Sequence, residues 1–172
     1  MPMSMYAASV PVFQHVLGNL RHILDKAEAN ALARKFEPSV LMTARLAPDM
    51  LPFTRQVLIA CDAAKNGIAR ISGVEAPKFE DNESTFGELR ARIQKTLDYL
   101  EKVPASAVDG KEEAEFTFPV GKASRTMKGQ AYLTTWVLAN FFFHVTTAYA
   151  ILRHNGVDLG KQDYLVGAAA QR

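Results

Sequence analysis

The sequence predicts an all-α fold, a four-helix bundle with a short β-hairpin before the last helix. Two observations support this prediction. Four segments repeat apolar residues at steps of three and four, the period of an amphipathic helix, and one segment alternates polar and apolar residues as a strand does. The 172 residues are 48% hydrophobic and 22% charged, which is the composition of an ordinary globular domain. Because we find neither an internal repeat nor a linker, we expect residues 1–172 to form a single domain.

The first two helices are predicted from their apolar stripes. The first begins near Ser9 or is kinked at Pro11, because proline interrupts a helix except in its first turn. The second runs from Pro52 to Ile71, and Gly73 follows as a stop. It also has a narrower face of mostly small residues, which would let a neighbouring helix approach closely, so we expect both faces to be covered. The stripe of the first helix is Phe13, Leu17, Leu20, Leu24 and Ala27, and the narrower face of the second is Gln56, Ala60, Ala63 and Gly67.

The third helix has a clear start signal. Residues 85–88, Thr-Phe-Gly-Glu, have the form of a capping box, in which the first and last side chains bond to each other's backbone N–H groups. Pro104 would end this helix. The helical period then disappears, and an alternating stretch followed by Gly121 predicts a hairpin over about 115–127, with Pro119 on an edge strand.

The fourth helix, about Gln130 to His154, is the most apolar, and Gly156 would end it. Residues 157–172 form a tail, in which Lys161, Asp163 and Tyr164 could fold back. Part of the fourth helix, Tyr132 to Leu152, was the best candidate for a membrane span, but its asparagine, histidine and four threonines predict a buried helix instead. We therefore expect no membrane partner.

Charge and cysteine content exclude other classes of protein. The 20 basic and 18 acidic residues leave a net charge of +2 and are scattered along the chain, so we expect no nucleic-acid partner. The single cysteine, Cys61, cannot form an internal disulfide, and the first ten residues lack the features of a secretory signal. These observations predict a cytoplasmic protein.

The candidate site lies on the fourth helix. Asn140 and His144 share a face by their spacing of four, together with Tyr132, Trp136 and Ala148. If this face looks into the bundle, the two polar groups are either hydrogen-bonded core residues or the lining of a ligand pocket.

Gln56 and Asp49 are the candidate partners of these residues from the second helix and its approach. A carboxylate, an amide and an imidazole together could bind a small polar molecule. Asp49 alternatively caps the start of the second helix.

Other polar residues have simpler interpretations. Asp62 shares its spacing with Arg55, Asn66 and Arg70, which predicts a solvated face. His15 and His22 lie too far apart along one helix to bind a single metal ion.

Three blocks of the sequence resemble a known family. They are Ala44 to Met50 leading into Gln56, Asn140 to His144 running into Ala148-Tyr149, and Gly160 to Leu165. Nearly the whole chain is similar to an uncharacterised domain-of-unknown-function family allied to the DinB/YfiT-like superfamily of proposed metalloenzymes. The resemblance implies a four-helix bundle with an up-down-down-up course and a homodimer.

The superfamily places three histidines around a divalent metal, one from the second helix and a His-x-x-x-His pair from the last. Here the pair is incomplete, because Asn140 and Ala148 stand four residues from His144, and the second helix has no histidine. A divalent metal is possible, but with this ligand set we expect no tightly bound metal and no cofactor.

Two functional hypotheses follow, and whether the chain is an enzyme stays open at this point. The first is a small-molecule-binding or otherwise non-catalytic bundle in which Asn140, His144 and Gln56 order a polar core or hold a ligand, around a degenerate metal site. The alternative is a DinB-like enzyme, a thiol-dependent transferase or a metal-assisted one, with His144 as a base or remnant metal ligand.

Overall fold

The computed structural model describes residues 3–171, and the protein is mostly helical with one small antiparallel sheet. The longest helices in the first part of the chain are those predicted from the apolar stripes, namely α1 (Val10–Ala33), α3 (Phe53–Ser72) and α4 (Phe86–Glu101). The short helices α2, α5 and α6 were not predicted. The elements in chain order are α1 Val10–Ala33, α2 Ser39–Met42, α3 Phe53–Ser72, α4 Phe86–Glu101, α5 Ala105–Val108, β1 Glu115–Val120, β2 Ala123–Lys128, α6 Gly129–Ala131, a π-helical segment Tyr132–Val137, α7 Leu138–His154, α8 Lys161–Leu165 and a 3₁₀ helix Gly167–Gln171.

The helix α1 begins at Val10 and places Pro11 in its first turn, so the first of the two predicted alternatives is correct. Its predicted stripe is fully buried from Phe13 to Ala27. The helix packs mainly against α4, with further contacts to the C-terminal tail and to α3 and α7.

The helix α3 lies between α4 and α7, which confirms that both of its faces are covered. It ends at Gly73, whose φ of 74° is the left-handed conformation that glycine adopts at low cost. At Gly67 the backbone of α3 touches the last helix so closely that an added Cβ would lie 2.3 Å from Cγ1 of Val137. Glycine at position 67 therefore sets the approach of these two helices.

The capping box at the start of α4 is confirmed. The Glu88 backbone N–H donates to Thr85 Oγ1 at 3.2 Å, and the Thr85 N–H donates to Glu88 Oε2 at 2.9 Å. Two otherwise unpaired donors of the first helical turn are thus satisfied.

The predicted hairpin is also confirmed, because β1 pairs with β2 in an antiparallel register that joins Glu115 to Lys128 and Val120 to Ala123. The hairpin lies over the start of the last helix. The ring of Phe118, the buried residue of β1, is centred 4.7 Å from the ring of Tyr132 and 5.0 Å from that of Trp136. These aromatic contacts fix the hairpin on the helices, since two strands alone are marginally stable.

The last helix differs from the prediction of one regular α-helix, because Tyr132–Val137 is π-helical. A π-helical turn holds more residues than an α-helical one, so it changes the rotation between Tyr132 and the residues of α7. The residues that recur at steps of four, predicted to share one face, are therefore not uniformly buried. Tyr132, His144 and Ala148 are buried, whereas Trp136 and Asn140 are half-buried.

By length and composition alone, this helix could span a membrane, so the expectation that it is too polar to do so is wrong. The continuous stretch Gly129–His154 passes both criteria, as the core helix of a soluble protein also does. Phe141 on this helix is fully buried, with its ring 4.8 Å from that of Phe13 on α1. Packing of this kind accounts for the apolar composition.

The tail folds back onto α1, as predicted. Asp163 in α8 accepts hydrogen bonds from Lys26 Nζ at 3.0 Å and pairs with His22 Nε2 at 3.1 Å. Burial raises the pKa of the Asp163 carboxyl, but the hydrogen bond from the Gly160 backbone N–H and the contacts with Lys26 and His22 outweigh it and lower the pKa. They also give His22 a structural partner.

Candidate functional site

The structure brings two of the four predicted site residues into contact. Nδ1 of His144 lies 2.7 Å from Oε1 of Gln56, and the Gln56 amide group donates to the backbone oxygen of Leu51 at 2.9 Å. An amide oxygen can only accept a hydrogen bond, so the His144 proton lies on Nδ1. Nε2 then carries a lone pair, and it has no hydrogen-bond partner among residues 3–171.

The surroundings of His144 favour its neutral form. The side chain is 9% exposed, and the ring of Phe143 stands edge-on to it at 5.1 Å. Burial lowers the pKa of His144, because the imidazolium loses its hydration. At neutral pH the residue is therefore an uncharged imidazole with an available acceptor nitrogen.

Asn140 lies one turn before His144 but has different surroundings. It lines a cleft of about 190 Å³, which we call the hairpin cleft, between α3, the hairpin and the start of the last helix. The predicted common face is thus divided into a His144–Gln56 pair and an open cleft containing Asn140. The hairpin cleft is lined by Ile59, Asp62, Ala63, Asn66, Gly67, Arg70, Phe118, Pro119, Tyr132, Trp136, Val137 and Asn140.

The structure does not bring Asp49 to these residues. Asp49 is exposed in a turn that is closed by the hydrogen bond from the Met50 N–H to the Ala47 oxygen, before α3 begins. The predicted capping role is also wrong, because the residue at the N-cap is Pro52 and no side chain caps the helix. The prolines at positions 48 and 52 keep this segment out of helical geometry.

The prediction that Asp62 belongs to a solvated face is correct only in part, because its side chain is 28% exposed and takes part in ion pairs. Its Oδ1 pairs with Lys65 at 3.1 Å, and its Oδ2 lies 2.9 Å from Nη2 of Arg92, which is only 2% exposed. Arg92 Nη1 also pairs with Asp81 at 2.7 Å and with Glu83 at 3.0 Å. The signal for this network was present in the sequence, because Arg92 lies three residues after Leu89 and next to Ile93, on the buried stripe of α4.

Arg70 is the second charged residue that the sequence interpretation placed in solvent. It is half-buried in the hairpin cleft, where its Nη1 donates to the Tyr132 hydroxyl at 2.5 Å. Its guanidinium carbon lies 5.8 Å from the ring centre of Phe118 and 5.7 Å from that of Tyr132. Within the described part of the chain, no carboxylate lies within ion-pair distance of Arg70.

The donors present do not form a metal centre. No group of three histidine, cysteine or acidic side chains that could hold a metal ion occurs in residues 3–171. The single imidazole of His144, beside an amide, lacks the three protein ligands that zinc or nickel requires. Cys61 is buried, and burial raises the pKa of its thiol to about 12, so it is an uncharged thiol at neutral pH.

Comparison with known proteins places this fold in a class. The chain is similar in structure to a DinB family member protein from Shewanella denitrificans, solved by crystallography, with a TM-score of 0.87 and 42% sequence identity over 93% of this chain and 90% of that one. The protein is thus a mostly helical, DinB-like protein. Residues 5–165 match the sequence model of the family described as domain of unknown function (DUF1993), and the chain belongs to that family. No curated protein is significantly similar to it.

Proposed function

We propose that this DinB-like protein is a non-catalytic, small-molecule-binding four-helix bundle whose ligand occupies the hairpin cleft. The observation that carries the proposal is the polar lining of this cleft. Asn66, Arg70 and Asn140 face it with hydrogen-bonding groups that have few or no protein partners in the described residues. Concave sites with apolar walls and a few convergent polar groups are typical of ligand sites.

The arrangement of the long helices supports the bundle as the scaffold, with residues 1–172 as a single domain. Contacts of α3 with both α4 and α7, and of α1 with α4, are those expected of four helices packed around one core. In this proposal the helices follow an up-down-down-up course, and the long connection through the hairpin crosses to the last helix. Ligand sites in bundles are built from side chains on facing helices, as α3 and the last helix provide here.

The His144–Gln56 pair has a supporting role in this proposal. It joins α7 to α3 inside the protein. An imidazole and an amide stand here in place of the three ligands that a divalent metal would need. We therefore propose that the pair orders the polar core and that no metal is bound tightly.

A ligand screen tests the proposal. We expect members of a panel of small polar compounds to bind the wild type at millimolar or lower concentration, detected by ligand-observed NMR. Ala63→Met, which fills the hairpin cleft, should abolish this binding, whereas Ala29→Met, the same change on the exposed face of α1, should not. Failure of every compound to bind, or equal binding by both variants, would refute the proposal.

An enzyme of the DinB-like kind, metal-assisted or thiol-dependent, is the second candidate. The free lone pair on Nε2 of His144 favours it, because a neutral imidazole can act as a base or as one metal ligand. Metal content after saturation with divalent ions separates the candidates. The bundle proposal predicts no bound equivalent, whereas one equivalent that is lost in His144→Ala and kept in His154→Ala, a change at the exposed end of α7, would establish a metal site.

Homodimerisation is a further part of the proposal, supported by an apolar surface. Phe143 is 56% exposed and Leu46 43% exposed, on a groove shared with Ala139, Phe142 and the threonines of α7. Exposed apolar surfaces of this kind often mark protein interfaces. Phe143→Glu should give a monomeric mass by light scattering while Leu32→Glu, at the end of α1, stays dimeric. A monomeric wild type at high concentration would contradict this.

A further inference from the structure

We infer that the ligand of the hairpin cleft is a small carboxylate with a flat or short apolar body, bound through the guanidinium of Arg70. This inference rests on the proposed function, because it names the chemistry of the compound that the cleft would hold. It follows from the charge, the hydrogen-bond donors and the shape of the cleft.

The charge of the cleft is the first argument. Arg70 is half-buried against the rings of Phe118 and Tyr132, and within residues 3–171 no carboxylate pairs with it. The other half-buried or buried cations on or beside this part of α3, Arg55, Lys65 and Arg92, all have acidic partners. Because a partly desolvated cation is stabilised by an anion, Arg70 is the group in this region that lacks its counter-charge.

Asp62 does not supply that charge, although it also lines the cleft. Both of its oxygens are already engaged, Oδ1 by Lys65 and Oδ2 by Arg92. Its negative charge is therefore compensated from the side of α4. The uncompensated charge that faces the cleft is positive.

The hydrogen-bond donors point to the same class of compound. A guanidinium has five N–H donors, and Arg70 uses one of its two terminal nitrogens on the Tyr132 hydroxyl. The amides of Asn66 and Asn140, on the facing helices, make no side-chain hydrogen bond in the described part of the chain. A carboxylate, which only accepts hydrogen bonds, can receive donors from all three side chains.

The shape of the cleft limits the rest of the compound. A volume of about 190 Å³ lies below the range of sites for drug-sized ligands. The apolar walls of the cleft include the rings of Trp136 and Pro119 and the ring of Phe118, which also lies against Arg70. An aromatic or short aliphatic body would pack against these walls, while Arg125, 6.0 Å from the Trp136 ring centre, adds positive charge at the rim.

Trp136 makes the test direct, because it is the single tryptophan of the chain and it lines the cleft. We would titrate the wild type with benzoate, benzamide and benzylamine, which share one skeleton and differ in charge. We expect benzoate alone to change the fluorescence of Trp136 saturably. The protein concentration is held constant, and Phe143→Glu is titrated in parallel so that a change in association is not mistaken for binding.

The variants identify the residue responsible. Arg70→Met should weaken benzoate binding about 10- to 100-fold, and Arg70→Lys should restore only part of it, because lysine keeps the charge without the planar fork. Arg21→Met, a change on the exposed side of α1, should bind as the wild type does. Circular dichroism of each variant verifies that it is folded.

The outcomes separate this inference from the proposed function. Binding of benzamide or benzylamine in preference to benzoate would overturn the carboxylate inference while the cleft remains a ligand site. Benzoate binding that is unchanged in Arg70→Met would also overturn it. If neither these three compounds nor the wider panel binds, the proposed function fails as well.

Discussion

Two arginines near the helix α3 show how differently one side chain can be used. Arg92 on α4 is 2% exposed and lies against three carboxylates, those of Asp62, Asp81 and Glu83. Arg70 on α3 is half-buried, and within the described residues it has a tyrosine hydroxyl and two aromatic rings but no carboxylate. Asp62 lies near both, because it contacts Arg92 and lines the cleft that contains Arg70.

The difference distinguishes a structural charge from a candidate binding charge. Arg92 joins α4 to α3 and to residues 81–83, and the ring of Phe79 covers it with the guanidinium carbon 4.4 Å from the ring centre. Even so, its Nε and Nη2 and one oxygen of Glu83 are buried without a hydrogen bond, because Nη2 contacts Asp62 as an ion pair only, so the network is compact but imperfect. Arg70 has no such role in joining acidic segments, which leaves its charge available to a ligand.

The largest effect is expected at Arg92. Arg92→Met would remove the counter-charge of Glu83 and leave Asp62 with Lys65 alone, and removing one member of a buried ion pair costs about 3–5 kcal/mol. We expect a value near the lower end, since these carboxylates are partly exposed. Urea unfolding measures this loss in the free energy of unfolding. Arg90→Met, which removes two more exposed ion pairs of the same helix, with Asp25 and Glu28, should cost only about 0–1 kcal/mol, and equal losses in the two variants would contradict the structural role.

A smaller loss is expected where the cleft is built. Gly67→Ala would place a methyl group against Val137 and push α3 from the last helix, at a cost of about 1–3 kcal/mol. Gly18→Ala, within α1 and with open space at its Cβ, should instead stabilise the protein by about 0.5–1 kcal/mol. Thermal or urea unfolding of both variants would measure these changes, and a neutral Gly67→Ala would show that the contact is not tight.

The His144–Gln56 pair predicts a dependence of stability on pH. Burial lowers the pKa of His144 in the folded protein, so the unfolded chain binds a proton first as the pH falls below about 6.5. The stability that the neutral imidazole contributes is complete above the pKa of His144 in the unfolded chain. It is lost as the pH falls toward the lower pKa in the folded protein, by at most about 1.4 kcal/mol per pH unit. His144→Gln should therefore lose less stability than the wild type between about pH 7 and pH 5.5. Parallel curves would show that His144 does not contribute.

The smallest effect on folding is expected at Arg70. Because it has no carboxylate partner in residues 3–171, Arg70→Met removes only the hydrogen bond to the Tyr132 hydroxyl, and should lower the free energy of unfolding by about 0.5–1.5 kcal/mol. A loss comparable to that of Arg92→Met would mean that Arg70 is also a structural residue, and it would remove the contrast between the two arginines.

The long helices could be predicted from the sequence, because helix period and end signals are local. The capping box at Thr85 and the stop at Gly73 are examples, and both are present in the structure. The π-helical segment Tyr132–Val137 could not be predicted, since a shift of one residue in hydrogen bonding leaves no trace in the apolar pattern.

The site was predicted less completely than the fold, because its contacts join distant segments. Spacing alone placed Asn140 and His144 on one face and could not foresee that the hairpin covers only the first of them. Arg70 and Asp62 were assigned to a solvated face because charged residues usually lie there, yet the hairpin and α4 cover that part of α3.

The central claim is that the hairpin cleft binds a compound through a charge that the protein itself leaves unpaired. The indole N–H resonance of Trp136, the single tryptophan, reports on this cleft in an isotope-labelled sample. We predict that this resonance shifts and saturates on addition of benzoate in the wild type and in Arg92→Lys, and that it does not move in Arg70→Met. A resonance unmoved by benzoate in the wild type, or moved equally in Arg70→Met, would contradict the account.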